Sequence, residues 1–270
     1  MTNVMIKNLR SASAPLTPKL ALRDAEGIAK RNLLRILRTP RQVFGSIIQP
    51  CLILLVFRYM VGGAIHIPGV DYVNYLVPAI FLEAVLMGGA NTSLALAQDL
   101  QMGMIERFRS LPMARSAVLI GRTFADACRN VLALMFVIAL GILVGFRFHN
   151  SLGACLAGIA LIILFGYAFS WFYATIGLAV KDPQTAQTFS LLPMFILFFP
   201  SSALVPIPTM PGWLQPFAAH QPGTVTIDAL RALFDGGPVF NNLWQAISWC
   251  VGIFLVFLVV SLNLYRKATA

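Results

Sequence analysis

The sequence predicts an all-α integral membrane protein with six transmembrane helices. Of its 270 residues, 58% are hydrophobic and only 11% are charged, whereas a soluble domain carries roughly 25% charged residues. Six apolar runs are each long enough for a helical span of ~20 residues. The Lys and Arg residues, which give a net charge of +10, fall mostly in the segments on one side of these runs.

The six predicted spans form a single transmembrane domain over residues 41–270. They lie at residues 43–61, 76–97, 123–145, 153–180, 188–206 and 242–264. Several contain a proline, at Pro50, Pro78, Pro193 and Pro200. A proline kinks a transmembrane helix, and neighbouring helices can then satisfy the freed carbonyl groups.

Two segments precede the first span. Residues 1–18 contain Pro15 and Pro18 and are predicted to be a flexible tail. Residues 19–40 are predicted to form an amphipathic interface helix, with an apolar side opposite the basic residues Arg31, Arg35 and Arg38. Such a helix lies in the membrane interface with its cations among anionic lipid headgroups. The alternative is a helix that packs on a soluble partner.

The distribution of cations predicts the orientation of the chain. With a cytoplasmic N-terminus, 16 of the 20 Lys and Arg residues lie on the cytoplasmic side and three, Arg58, Arg147 and Arg231, on the outer side. By the positive-inside rule, both termini are cytoplasmic in a multi-pass protein of a plasma membrane, which we expect to be bacterial. The positive charge therefore reflects topology, and no nucleic-acid partner is expected.

Two segments between spans are distinctive. Residues 99–122 carry charges together with Met104, Phe108 and Leu111, which share one helical face before Pro112 ends the helix. A short cytoplasmic helix with an apolar ridge is suited to contact another protein. The outer segment 205–242 is rich in proline and contains an amphipathic stretch at 224–234, which predicts re-entrant helices between the fifth and sixth spans.

Catalytic and metal-binding motifs are missing from the sequence. It has no phosphate-binding G-x-x-x-x-G-K-[ST] loop, no H-E-x-x-H, no G-x-S-x-G and no C-x-x-C. The four cysteines lie in apolar runs without close spacing, and the three histidines fall in outer loops. We therefore expect no catalytic residue, no metal site and no cofactor in this chain, and a membrane-embedded hydrolase or lipid transferase is disfavoured.

Charged residues inside the spans leave alternatives open. Glu83 either pairs with Arg58 and fixes two helices, or it faces a transport pathway and meets a cationic or polar substrate group. Asp126 and Arg129, at i and i+3, are expected to form a local pair. The side chains at 194–199 either line an apolar pathway or contact lipid. A proton- or ion-coupled carrier remains an alternative, although Glu83 is the single deep acid and no internal repeat is evident.

Four stretches resemble the type-2 ABC exporter permeases, in particular the daunorubicin/doxorubicin-resistance permeases. They are QPCLILLVFRYMVGGAI at 49–65, YLVPAI at 75–80, GMIERFRSLPMARSAVLIGRTFAD at 103–126 and SSALVPIPTMPGWLQPFAAHQPGTVTIDALRAL at 201–233. The last two are fairly specific in combination. The resemblance covers most of residues 30–265.

This resemblance implies a transport subunit that works with other proteins. Two permease chains, identical or different, would dimerise above two copies of a separate ABC ATPase, which would bind ATP and Mg. The substrate would be a hydrophobic drug or a lipid-like molecule moved outward. An exporter of a polysaccharide or glycolipid is the alternative.

The resemblance also implies roles for individual residues. A cytoplasmic coupling helix between the second and third spans would contact the ATPase through Gly103, Met104, Glu106, Arg107, Phe108, Arg109, Leu111 and Pro112. The outer cap at 206–236 would include Pro211, Trp213, Asp228 and Arg231. The second and fifth spans would line the substrate pathway with Glu83, Met87, Asn91, Met194, Phe195, Phe198 and Phe199. The acid at Glu83 departs from the uncharged polar residue expected there.

Overall fold

The computed structural model describes residues 40–65, 69–102, 115–180 and 182–268. The predicted flexible tail and interface helix, with Arg31, Arg35 and Arg38, lie outside the described residues. So does the predicted coupling helix, with Gly103, Met104, Glu106, Arg107, Phe108, Arg109, Leu111 and Pro112. These assignments stay predictions.

Regular structure in the described ranges is helical throughout. The helices are α1 (Pro40–Val56), α2 (Tyr72–Gln101), α3 (Arg115–Leu143), α4 (Leu152–Val180), α5 (Pro183–Phe198), α6 (Gln215–His220), α7 (Pro222–Asp235) and α8 (Val239–Ala268). A π-helical turn, Phe57–Val61, extends α1, and a 3₁₀ turn, Ile207–Thr209, precedes α6. The all-helical prediction is confirmed for this part of the chain.

Four helical stretches are long and apolar enough to cross a membrane: Tyr72–Gln101, Gly121–Leu143, Leu152–Val180 and Val239–Tyr265. They match the predicted second, third, fourth and sixth spans. The apolar helix Ile47–Val61 is shorter, and α5 has 16 residues, or ~24 Å at 1.5 Å per residue. The multi-pass architecture is therefore supported, while the full set of six spans stays a prediction.

The predicted fifth span, 188–206, extends further than its helix. Helix α5 ends at Phe198, Phe199 forms its C-cap, and Pro200 comes next. Pro200 has no backbone N–H and therefore cannot continue the helical hydrogen bonds. Ser201 Oγ donates to the Phe198 carbonyl at 2.5 Å, and the Ala203 N–H donates to Ser201 Oγ at 3.1 Å. The chain leaves the helix here and turns toward the outer cap.

Local sequence signals account for several helix ends. Asp182 caps α5, where it accepts hydrogen bonds from the Thr185 N–H at 2.8 Å and Thr185 Oγ1 at 2.6 Å, and Pro183 follows at the first helical position. These two bonds lower the pKa of the exposed Asp182 carboxyl. After α7, the chain passes through Gly236 at φ 93°, a left-handed conformation that favours glycine.

Helix α2 is the centre of the fold. All fifteen residues from Tyr72 to Leu86 are buried, and α1, α3, α4, α5 and α7 all contact this helix. Gly88 and Gly89 permit close packing of this helix against two neighbours. A side chain at Gly89 would overlap the ring of Tyr173 on α4, and one at Gly88 would overlap Asn130 on α3. Helix α2 is therefore enclosed by neighbouring helices within one chain.

Candidate functional site

The outer cap is built around α7, which is embedded in the fold. Ten of its fourteen residues are buried, and Phe234 contacts the rings of Phe81 on α2 and Phe148 edge-to-face, with centroid distances of 5.9 and 5.3 Å. Near its start, a Cβ on Gly223 would lie 2.5 Å from the Leu197 carbonyl oxygen of α5. The glycine thus allows α7 to approach the end of α5 closely.

Arg231 of α7 is the hub of the cap. Its guanidinium lies 3.4 Å from the centroid of the Tyr75 ring, and 14% of its side chain is exposed. It donates hydrogen bonds to Tyr75 O (2.9 Å), Ser202 O (2.7 Å), Ser202 Oγ (3.0 Å), Ala203 O (3.4 Å) and Asp228 Oδ1 (3.0 Å). One cation therefore joins α7 to the start of α2 and to the segment after α5.

The neighbours of Arg231 complete this network. Tyr75 Oη donates to Ser202 O at 2.7 Å, and Ser202 Oγ donates to Asp228 Oδ1 at 2.7 Å. The sequence identified Asp228 and Arg231 as cap residues, and the structure brings them together. Pro211 and Trp213, the other two predicted cap residues, are exposed and lie apart from the hub; Trp213 is 80% exposed.

A polar cluster lies beside the cap, at the start of α2 and the end of α7. His149 Nδ1 is 3.1 Å from Asp235 Oδ1 and 3.3 Å from Asn74 Nδ2. Burial raises the pKa of the Asp235 carboxyl, and the contact with His149 opposes this shift. A cavity of 760 Å³ opens here, lined in part by Arg58, Asp71, Asn74, His149 and Asp235.

Glu83 has Gln49 as its neighbour, whereas the sequence suggested Arg58. Gln49 Nε2 donates to Glu83 Oε1 at 3.4 Å. Within the described ranges, Glu83 Oε2 has no hydrogen-bond partner, although the residue is fully buried. Arg58 lines the outer cavity next to Tyr72, eleven residues or ~16 Å along α2 from Glu83. The alternative in which Glu83 pairs with Arg58 is therefore wrong, because the two residues lie at different depths.

The other predicted pathway residues divide into three groups by burial. Met194 and Phe198 on α5 belong to the buried core, with 6% and 2% exposure. Phe195 and Phe199 are each 49% exposed and stack at 5.3 Å. On α2, Met87 and Asn91 are half-buried. The seven predicted residues thus do not form one continuous surface in a single chain.

The predicted Asp126–Arg129 pair is present in α3. Arg129 Nη1 lies 3.0 Å from Asp126 Oδ1. Both side chains also reach α2: Thr92 Oγ1 donates to Asp126 Oδ2 at 2.7 Å, and Arg129 Nη2 donates to Gly88 O at 2.9 Å. The pair is therefore a link between two helices as well as a local i, i+3 contact.

Sequence reasoning missed several residues that complete these networks. The sequence signal that could have identified them is the presence of polar side chains inside or beside apolar helices, at Tyr75, Ser202, Gln49 and Thr92. The partners that join them to other segments lie between 26 and 156 residues away along the chain, so the pairing depends on how the helices pack. Among the residues that the structure describes, no group of three or more His, Cys, Asp or Glu side chains is arranged to hold a metal ion.

Comparison with known proteins identifies the family. Residues 26–234 match the ABC-2 type transporter family model. The chain belongs to the ABC-2 type transporter family. This membership implies association with an ABC ATPase and with a partner permease chain.

Relatives at about 30% identity are ABC permeases named for drug resistance. The daunorubicin resistance ABC transporter permease protein DrrB1 of Streptomyces coeruleorubidus is 30% identical over 240 residues, covering 89% of this chain and 85% of that protein. The probable doxorubicin resistance ABC transporter permease protein DrrC of Mycobacterium tuberculosis is 31% identical over 240 residues, covering 88% and 87%. A putative transport permease, ycf38, of Cyanophora paradoxa is 27% identical over 248 residues, covering 86% and 83%.

The buried networks described above therefore belong to an ABC-2 permease. In such a protein the chain itself is a transport subunit, and the structure describes its apolar helices and the polar groups that join them. The prediction of an ABC exporter permease made from residues 49–65, 75–80, 103–126 and 201–233 agrees with the family match.

Proposed function

We propose that this chain is the permease subunit of an ATP-driven exporter that moves a hydrophobic drug or a lipid-like molecule outward across a bacterial cell membrane. A separate ABC ATPase, present in two copies, would bind ATP and Mg and supply the energy. The observation that carries this proposal is the family match over residues 26–234, together with relatives named for drug resistance.

The ATPase would contact residues 103–112. These residues connect α2 to α3. Their sequence combines apolar residues that share one helical face with positively charged residues. A cytoplasmic position agrees with the excess of Lys and Arg in the segments that would share that side. Movement of the ATPase on nucleotide binding would then be passed to α2 and α3. Only a partner that binds the two states of the permease differently can shift the equilibrium between them.

The substrate pathway would lie between two permease chains, identical or different, along α2 and α5. Support comes from the exposed, stacked pair Phe195 and Phe199 and from the half-buried Met87 and Asn91. An apolar pathway of this kind suits a hydrophobic substrate. Glu83 would reach it only when α1 separates from α2, since Glu83 is enclosed in the present arrangement.

The first experiment tests for the ATPase partner. The tagged chain is purified from its native membrane, with a single cysteine at Met104 or Arg109 in a background without native cysteines, and treated with a cross-linker. We expect a cross-linked ABC ATPase. A cysteine at Trp213, which is 80% exposed in the outer segment, is the matched control and should give none. Absence of any nucleotide-binding partner would overturn the proposal.

A transport assay tests the energy source and the coupling segment. In inverted vesicles, uptake should require ATP and should survive collapse of the proton gradient. Phe108→Asp and Arg109→Glu should abolish ATP-dependent uptake while the chain remains folded and inserted. Uptake that follows the proton gradient without ATP would favour a secondary carrier, and unchanged uptake in both variants would remove the coupling role of this segment.

A further inference from the structure

The two helices that flank residues 103–114 are joined by buried polar contacts at two levels. Near the end of α2, Asp99 Oδ2 accepts a hydrogen bond from Arg122 Nη1 of α3, and only 15% and 14% of these side chains are exposed. Deeper in the fold, Thr92 donates to Asp126, and Arg129 donates to the Gly88 carbonyl. At both levels, charged side chains of α3 therefore bond to α2: to an opposite charge at Asp99, and to a hydroxyl and a backbone carbonyl at Thr92 and Gly88.

The spacing of these residues places them on facing stripes. On α3, Arg122, Asp126 and Arg129 follow one another at i, i+4 and i+7, and on α2, Gly88 and Thr92 are at i and i+4. Residues at these intervals share one face of a helix. The contacts run in antiparallel order and extend from Gly88 to Asp99, a length of ~16 Å. They therefore resist sliding of one helix along the other.

Close packing strengthens this link. Gly88 approaches Asn130 so closely that any side chain at position 88 would overlap it. The missing side chain also leaves the Gly88 carbonyl accessible to the Arg129 guanidinium. Small residues at a membrane helix interface permit such backbone approach. An ion pair that also bonds a backbone carbonyl of the neighbouring helix fixes the two helices relative to each other more firmly than a contact between two mobile side chains does.

We propose that Asp99, Arg122, Asp126 and Arg129 make α2 and α3 one rigid lever, which carries displacement of residues 103–114 to the central helix. The inference rests on the proposed coupling role of that segment. Asp99 and Arg122 are positioning residues, because they act through α2 and α3. If the helices could slide, the connecting segment would move without moving α2. Since α2 contacts α1, α3, α4, α5 and α7, its displacement reaches most of the described fold.

The test measures substrate exported per ATP hydrolysed in the reconstituted permease–ATPase complex. Asp99→Asn and Arg122→Gln should each lower this ratio about tenfold, in the range of typical coupling between sites, while ATP hydrolysis continues. The double variant should lose less than the two single losses combined, because the two residues share one ion pair. Arg122→Lys should retain most of the coupling. Arg147→Gln, an exposed arginine beyond the outer end of α3, is the control and should leave the ratio unchanged.

Several outcomes would overturn the lever. They are an unchanged ratio in both single variants, losses that add in the double variant, and loss of ATPase assembly in place of coupling. A complex that exports without ATP hydrolysis would instead contradict the proposed function itself. These two failures are distinguishable because basal hydrolysis and assembly are measured in the same preparations.

A cross-link provides an independent measurement. Asp99→Cys and Arg122→Cys are combined in a chain whose four native cysteines are replaced, and a short bifunctional thiol reagent joins the two positions. Because the lever stays closed throughout transport, the linked complex should export at the rate of the same preparation after reduction of the link. Loss of export on linking, restored by reduction, would show that α2 and α3 must separate and would overturn the proposal.

Discussion

Arg231 and Glu83 are two enclosed charged residues with opposite surroundings. The Arg231 guanidinium donates to acceptors on three parts of the chain and lies over the Tyr75 ring. Glu83, fully buried on the central helix, has one long hydrogen bond from Gln49 and a second carboxyl oxygen with no partner in the described structure. Arg231 is satisfied by the fold, whereas Glu83 retains unused hydrogen-bonding capacity.

The difference separates residues that hold the fold from residues available for a ligand. Removal of one member of a saturated network leaves its partners buried and unpaired. A buried acid with an unused oxygen has little to lose from substitution and can gain a partner when a substrate or a helix moves. Charged groups inside membrane proteins frequently mark function, and their partners indicate which ones are structural.

Substitution of Arg231 should give the largest effect on stability. Arg231→Met keeps much of the side-chain length but removes the guanidinium that donates to Tyr75 O, Ser202 O, Ala203 O and Asp228. Ser202 O and Asp228 keep Tyr75 Oη and Ser202 Oγ as donors, so we expect a loss of about 2–4 kcal/mol from several hydrogen bonds broken together. Thermal unfolding in detergent measures it. The matched variant Arg147→Met removes an exposed arginine and should change stability by less than about 0.5 kcal/mol. Equal losses in the two variants would contradict the structural role of the hub.

Substitution of Glu83 should affect transport more than stability. Glu83→Gln keeps the shape and the contact with Gln49, so the unfolding temperature should stay nearly unchanged. Export of a cationic hydrophobic substrate should fall about ten- to hundredfold relative to a neutral one, because a charge-assisted hydrogen bond of about 1.5–3 kcal/mol is lost. Competition between the two substrates in vesicles measures the ratio.

Arg58→Gln is the control for Glu83. The two residues lie at different depths, and Arg58 lines the outer cavity. Its substitution should leave the preference between cationic and neutral substrates unchanged. If Glu83→Gln lowers the export of both substrates equally, Glu83 has a structural role and the comparison with Arg231 fails.

The features that the sequence predicted correctly are those whose residues lie close together along the chain. Hydropathy located the four long apolar helices, and the i, i+3 spacing identified the Asp126–Arg129 pair, because each signal is local. The Arg58–Glu83 pair failed because its prediction assumed equal depth in two helices. Arg58 instead lies beside the start of α2, where it lines the same cavity as Tyr72. Outside its own helix, Arg231 has partners that lie 29 and 156 residues away along the chain, and the periodicity of a sequence does not predict contacts at such separations.

Removal of the Tyr75 hydroxyl tests whether the remaining hydrogen bonds around Arg231 are sufficient to hold the network. Tyr75→Phe deletes the bond from Tyr75 Oη to Ser202 O but keeps the ring beneath the guanidinium. Ser202 O still accepts a hydrogen bond from Arg231 at 2.7 Å, so no buried acceptor is left empty. The loss should be about 0.5–1 kcal/mol, the lower part of the range for one hydrogen bond. A loss as large as that of Arg231→Met would mean that the tyrosine hydroxyl holds the hub.

The smallest effect should come from Asp182, an exposed carboxylate that contrasts with Glu83. Its bonds from Thr185 lower its pKa in the folded state. Its ionised form therefore stabilises the first turn of α5 above the ordinary carboxyl pKa of about 3.9, and this contribution is lost as the pH falls through the lowered value. Hydrogen-exchange protection of the first turn of α5, corrected for intrinsic rates, should fall between pH 7 and acid pH in the native chain. Asp182→Asn still accepts from the Thr185 N–H but does not titrate, so its protection should change little over the same interval. A parallel fall in both proteins would mean that the acid response arises elsewhere in the chain.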